Sequence, residues 1–187
     1  MITTILPAAD RVATPWKNGG GVTREIAASP SGAGLDDFDW RVSMAEVREA
    51  GAFSLFPDVD RVLTVLEGTL GLTFAGEKPT FLDPTSEPFA FPGDRPCHGL
   101  PVVGSVLDLN VMCRHSRFHS RVDRVADATW RPSGEAAILI ALEPLAVGAE
   151  TLNRFDALLF TAIDPAEAPP LHVGGRAIVV SLKVMAG

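Results

Sequence analysis

Arg61 opens the run Arg61-Val-Leu-Thr-Val-Leu-Glu67, in which Val62, Thr64 and Leu66 alternate with Arg61, Leu63, Val65 and Glu67. A cation at the head of an otherwise apolar strand needs either a buried acid or an anionic guest. A guanidinium offers a carboxylate two parallel N–H bonds, which orient the guest as well as hold it. The run Trp40-Arg-Val-Ser-Met-Ala-Glu46 sets Arg41 and Ser43 on the face opposite Trp40, Val42 and Met44. That face is either solvated surface or the lining of a barrel. In Asp108-Leu-Asn-Val-Met112, Asp108 and Asn110 share one side of an apolar strand. Buried polar groups demand partners, and an arginine is a candidate partner for Asp108.

A fourth stretch, Trp16-Lys-Asn-Gly-Gly-Gly21, carries three consecutive glycines. They mark either a tight hairpin entry or a loop whose bare amides, at Gly19 and Gly20, line a pocket beside Trp16 and Asn18. No strand leads into them and no Gly-Lys-Ser/Thr follows, so neither phosphate-binding fingerprint fits.

Catalytic patterns are weaker. Ser43 and Ser54 have no histidine at a recognisable spacing, and no Gly-x-Ser-x-Gly elbow is present. His98, His115, His119 and His172 form no catalytic spacing. Cys97 and His98 are strand neighbours and point to opposite faces. Glu46 and Glu67 could serve as acid and base, but nothing pairs them. A binding protein is favoured over an enzyme. The two cysteines have neither zinc-type spacing nor the number for a disulfide framework.

The chain of 187 residues is 47% hydrophobic and 21% charged, an ordinary globular composition. A net charge of −7 repels phosphate backbones, so nucleic acid is not an expected partner. No uncharged apolar run reaches the roughly 18 residues of a membrane span. Met1–Asp10 lacks the pattern of a signal peptide, which makes a cytoplasmic location the expectation. Arg114, Arg117, Arg121 and Arg124, with His115 and His119 among them, read as a charged strand edge.

The elements that must position these residues are short strands separated by turn residues. The pattern predicts strands at Met1–Leu6, Val22–Ala27, Trp40–Glu46, Arg61–Glu67, Leu70–Phe74, Phe89–Phe91 and Val102–Met112. Further strands are expected at Ala136–Leu142, Leu145–Val147, Thr151–Phe160 and Arg176–Val184. No convincing amphipathic helix appears. The fold class is mainly β, a sandwich or barrel.

The order strand, bend, Val65-Leu-Glu-Gly68, then Phe91-Pro-Gly-Asp94 and His98 resembles a cupin. The positions that carry metal ligands in cupins fall here on Ser54, Phe56 and Arg61, with His98 the remaining candidate. A cation and a phenyl ring cannot ligate a metal, so neither metal nor cofactor is expected. Five stretches together resemble the HutD/Ves family more closely: Trp16–Ile26, Trp40–Val47, Gly51-Ala-Phe-Ser54, Asp60-Arg-Val-Leu63 and Asp108–Met112. The resemblance implies a bicupin, two packed RmlC-like jelly-roll β-barrels with little helix. Residues 1–187 would form a single HutD-like unit, with 1–115 the motif-bearing half and 116–187 a second, degenerate half.

It also implies a regulator or accessory protein of histidine utilisation that senses a small carboxylate such as formylglutamate or urocanate. Ves, a relative covered by the same family name, is not tied to that pathway. On this reading Arg61 and Arg41 would grip the carboxylate, assisted by Asn18, the amides of Gly19 and Gly20, and Ser54. Trp16, Phe53 and Phe56 would form apolar walls, and Ser43, Asp108 and Asn110 complete the candidate set. Two alternatives stand beside it. One is a cupin enzyme acting on a similar acid. The other is a structural or partner-binding protein in which Arg61 pairs internally with Asp108 or Asp60. A homodimer is admitted and not required.

Overall fold

The computed structural model describes residues 1–185. Its first eleven strands are β1 (Ile2–Leu6), β2 (Ala13–Pro15), β3 (Gly21–Ser29), β4 (Trp40–Val47), β5 (Gly51–Ala52), β6 (Val59–Glu67), β7 (Leu70–Phe74), β8 (Thr80–Leu82), β9 (Phe89–Pro92), β10 (Cys97–Pro101) and β11 (Val106–Arg114). Six more follow: β12 (Phe118–Trp130), β13 (Ala136–Ala141), β14 (Leu145–Val147), β15 (Glu150–Leu152), β16 (Ala157–Thr161) and β17 (Leu171–Val184). Among the described residues the helical element is a single 3-10 turn at Ala8–Asp10. The chain is thus mainly β, as its alternating pattern predicts. No helix among the described residues is long and apolar enough to cross a membrane.

The strands divide between two compact units. The unit spanning Val12–Ser116 holds a six-stranded sheet in the order β2-β3-β4-β11-β6-β9 and a four-stranded sheet in the order β5-β10-β7-β8. Every pairing in both sheets is antiparallel. Val47, Leu63, Val65 and Phe91 of the larger sheet pack with Leu70, Leu72, Phe74 and Cys97 of the smaller one in a single core. Alternation along β6 therefore decides which residues enter that core. Leu63 and Val65 do, and Arg61, of the same parity, must accompany them.

The other unit comprises Met1–Arg11 and the chain from Arg117 onward. Its sheet runs β1-β16-β13-β17-β14-β15, and β12 also pairs with β17. Leu139, Leu158, Phe160, Val173 and Val179 form an entirely apolar core. The first strand, expected within the 1–115 half, pairs with β16 instead. The Ala8 amide donates to Asp156 Oδ1 at 2.7 Å, and Arg11 Nη2 donates to the Phe155 carbonyl at 2.6 Å. Partners roughly 150 residues away are invisible to local pattern, because apolar alternation fixes a face and not a neighbour.

Three further strand expectations shift. The Val102–Met112 stretch is interrupted, with β10 ending at Pro101 and β11 starting at Val106. Thr151–Phe160 splits into β15 and β16 around a turn in which Asp156 Oδ2 accepts the Asn153 amide at 2.9 Å. The basic segment spreads over the end of β11 (Arg114), a turn (His115 and Arg117) and β12 (His119, Arg121 and Arg124), which is thirteen residues long and paired along β17. Arg121 there ion-pairs with Asp123 at 2.7 Å.

Candidate functional site

In antiparallel strands, residues directly opposite one another share a face. Met112 on β11 stands opposite Arg61 on β6 and opposite Arg41 on β4. Asn110 likewise faces Leu63 and Ser43, and Asp108 faces Val65 and Ala45. Arg61, Arg41, Ser43, Asn110 and Asp108 therefore line the inward face, the one that packs toward the four-stranded sheet. Three motifs scattered through the sequence become one polar row inside an apolar core.

Arg61 is 6% exposed, Asn110 6% and Asp108 0%. Arg61 Nη2 donates to Asn110 Oδ1 at 2.6 Å, and Asn110 Nδ2 donates to Asp108 Oδ1 at 2.6 Å. The amide is a relay between the two charges, its carbonyl turned to the cation and its NH2 to the carboxylate. Arg61 Nη1 lies 3.5 Å from the Ser54 carbonyl, at the limit of a useful bond. Arg61 Nε and Asp108 Oδ2 are buried with no hydrogen-bond partner among the described residues. Leaving such groups unsatisfied is costly, so an arginine held this way keeps donor capacity aimed into the core.

Three rings surround the guanidinium, with its central carbon 5.2 Å from the centroid of Phe53, 5.7 Å from Phe56 and 5.1 Å from Phe91. Desolvated cation–π contacts of this kind offset part of the cost of burying the charge, about 1–2 kcal/mol each. Burial nevertheless pulls the Arg61 pKa down to about 10, against the opposing attraction of Asp108. Burial also pushes the Asp108 carboxyl up to about 7, although Arg61 and the Asn110 bond favour its ionised form. Desolvation is the larger effect at both ends of the relay.

Arg41 resolves its ambiguity in part. Its Nε donates to Glu25 Oε2 at 2.8 Å and its Nη1 to Ser43 Oγ at 3.2 Å. The Arg41 side chain is 12% exposed and that of Glu25 41%, so the pair occupies the accessible margin of the row. A bulge at Ile26 permits it: Glu25 stands opposite Ser43, and Ala28 stands opposite Arg41. Trp16 Nε1 donates to Thr23 Oγ1 at 2.7 Å, and its ring lies against the core of the same unit.

The glycine loop does not offer the amides expected of it. The Gly19 amide donates to the Trp16 carbonyl at 3.0 Å, and the Gly20 amide donates to Asn18 Oδ1 at 3.1 Å. The Asn18 carbonyl is therefore committed too, in a side-chain-capped turn between β2 and β3. The hairpin alternative is the one adopted. Ser54 contributes its main-chain carbonyl, while the residue itself is exposed. Asp60 is exposed and stands opposite Cys113, on the other face from Arg61. Phe56 meets the cation as a wall, and also packs edge-on to Phe38 at 6.4 Å.

Sequence reasoning left Phe91, Glu25 and Thr23 out of the site and weighed Cys97 only as a thiol beside His98. Cys97 points into the core with the charge of Arg61 near it, and burial raises its pKa. Glu25 reaches Arg41 across the bulge at Ile26, which parity does not reveal, and Phe91 required the β6–β9 register. Of the positions compared with cupin metal ligands, Ser54 and His98 are exposed and Phe56 covers Arg61. Among the described residues no group of three His, Cys, Asp or Glu could hold a metal ion. An open groove of about 460 Å³, lined by Phe53, Thr73, Phe74, Cys97 and His98 among others, lies beside the row and does not include Arg61. None of those side chains is, among the described residues, a buried polar group without a partner.

Comparison with known proteins gives the following. The HutD family model matches residues 8–177. An uncharacterised 21.2 kDa protein in the hutC 3′ region of Pseudomonas putida is 35% identical over 187 residues, covering 95% of this chain and 96% of its own length. Protein Ves of Citrobacter koseri is 40% identical over 120 residues, 64% of this chain and 61% of that protein. The solved structure of HutD from Pseudomonas fluorescens SBW25, described as a formate condition, superposes with a TM-score of 0.89 at 32% identity, covering 99% of this chain and 100% of that one. The conserved protein PA5104 of Pseudomonas aeruginosa PAO1 gives 0.85 at 26% identity, over 99% of this chain and 100% of that one.

Proposed function

Because the chain belongs to the HutD family, we propose that it binds a small carboxylate at Arg61 and serves histidine utilisation as a sensor or accessory protein. The observation that carries this reading is the buried guanidinium with an unpartnered Nε inside a ring of three phenylalanines. Small-ligand sites combine apolar walls with a few convergent polar groups, and this row has that composition. Asn110 fixes the plane of the guanidinium by its 2.6 Å bond, which leaves the remaining N–H edge for a planar, two-oxygen guest. The relative from the hutC 3′ region supports the link to histidine utilisation. N-formylglutamate and urocanate are the metabolites to try first.

Thermal-shift titration of the full chain with formate, N-formylglutamate and urocanate tests the reading. A saturable rise in melting temperature is expected for at least one of them. It should vanish in Arg61→Met. No stabilisation by any of these acids would sink the proposal.

A second reading draws support from the relay itself. Arg61 already bonds Asn110 and is buried, which suits a cation that joins β6 to β11 and binds nothing. On that reading Arg61→Met loses stability but no acid stabilises the wild type. The same titration separates the two.

A further inference from the structure

We infer that the Arg61 site takes up one proton with each carboxylate it binds, and that Asp108 is the group that receives it. The inference rests on the reading of Arg61 as the anion-binding cation.

Charge balance carries it. Without a guest, the inward face holds one buried cation and one buried anion, joined by two 2.6 Å bonds through Asn110. A carboxylate docking on the free edge of Arg61 adds a second negative charge to a core of low polarisability. Two like charges sharing one cation in such surroundings cannot both stay ionised at little cost. The guest sits against the guanidinium, whereas Asp108 reaches it only through an amide, so Asp108 is the weaker claimant. A proton from the solvent then forms an O–H bond on Asp108, and the core returns to one positive and one negative charge. Asp108 Oδ2, buried and without a partner among the described residues, is the atom placed to carry the proton.

Among the described residues, the neighbours of Asp108 within its sheet include no other acid. Across the flanking strands it faces Ala45 and Val65, and along its own strand Asn110. Arg61 is the charged group acting on it. The Cys97 thiol near Arg61 has its pKa raised by burial and stays neutral. Glu25 is tied to Arg41 at the accessible margin. His98 and His115, the histidines of this unit, are both exposed. Burial has already brought the Asp108 carboxyl to about 7, so a modest added repulsion suffices to protonate it at neutral pH.

Isothermal titration calorimetry of the full chain with formate, at pH 6, 7 and 8 and in two buffers of different ionisation enthalpy, tests this. Formate itself stays ionised throughout. With Asp108 near 7, affinity should fall about tenfold from pH 6 to pH 8, and uptake should approach one proton per formate at pH 8. In Asp108→Asn, affinity should be flat with pH and uptake absent. If the wild type binds formate with a flat pH profile and no uptake, the inference is wrong while carboxylate binding stands. Uptake that persists in Asp108→Asn overturns it as well. Absence of formate binding at every pH overturns both this inference and the proposed function. Should Asp108→Asn not fold, infrared difference spectra of aspartate-labelled wild type decide the matter: a protonated carboxyl band appearing with formate supports the inference, and its absence overturns it.

Discussion

At the scale of the residue, the molecule turns on a cation that the fold cannot afford to leave alone. Arg61 is buried with one firm hydrogen bond, three aromatic neighbours and a counter-charge held one amide away. Removing one member of such a pair strands the other, which typically costs about 3–5 kcal/mol, whereas removing both is often nearly neutral. We therefore expect Arg61→Met to lower unfolding free energy by about 2–4 kcal/mol at pH 8, where Asp108 is ionised. Adding Asp108→Asn should recover at least half of that loss. Urea denaturation of the two single variants and the double variant gives the coupling directly. Additive losses would mean that the relay through Asn110 transmits no interaction. Arg61→Lys should keep the charge yet lose carboxylate stabilisation, because an ammonium lacks the planar fork.

At the scale of the element, strand parity and a single close approach build the aromatic cage. Gly99 on β10 is the residue that allows it. A methyl group added there would lie 2.5 Å from Phe53 Cε1 and 3.1 Å from Cζ, so the ring must leave its present position. Phe53 is the wall shared by Arg61 and the neighbouring groove. Gly99→Ala is expected to destabilise the unit by about 1–3 kcal/mol and to weaken formate stabilisation more than that loss accounts for. Gly76→Ala is the control, since a Cβ there meets nothing within 4 Å although its φ of +80° carries backbone strain. It should cost about 1–2 kcal/mol and leave the ligand response unchanged. Equal ligand responses in both variants would remove Phe53 from the site.

At the scale of the whole molecule, the buried acid imposes a pH dependence on stability. Asp108 titrates near 7 in the folded chain and near 3.9 when unfolded. Between those values the native state holds a proton that the unfolded state has released, so stability falls as pH rises through this window. Above about 7 the loss is complete and the curve levels. Its ceiling is about 4 kcal/mol, and solvent relaxation will reduce it. Arg61, lowered to about 10, titrates above the window. Glu46 and Glu143 are lowered by arginine partners, and Asp83 by hydrogen bonds from Thr85 and Ser86, so their contributions have the opposite sign and are lost as pH falls. Urea unfolding from pH 5 to pH 8 should show the wild type losing roughly 1–3 kcal/mol relative to Asp108→Asn. A constant difference between the two would show that Asp108 does not titrate in this range. In the unit formed by Met1–Arg11 and the chain from Arg117 onward, the buried acid among the described residues is Asp156, which accepts the Ala8 and Asn153 amides and has Arg11 near it.

The sequence by itself determined the strand class, the shared parity of Arg41 with Ser43 and of Asp108 with Asn110, and the family, whereas which of those faces turns inward was decided by the packing of the two sheets. Alternation with a period of two is local, so it survives in one dimension. It could not determine which strands lie side by side. That choice set Asn110 between Arg61 and Asp108, where a direct arginine–aspartate pair was one expectation. It also sent β1 to β16, tied Glu25 to Arg41 across a bulge, and brought Phe91 over the guanidinium. The glycine run illustrates the same limit: its composition allowed a pocket loop or a hairpin, and hydrogen bonds within the turn decided for the hairpin. Strand pairing is a non-local bargain among packing, register and polar satisfaction, and it exists only once the chain has folded.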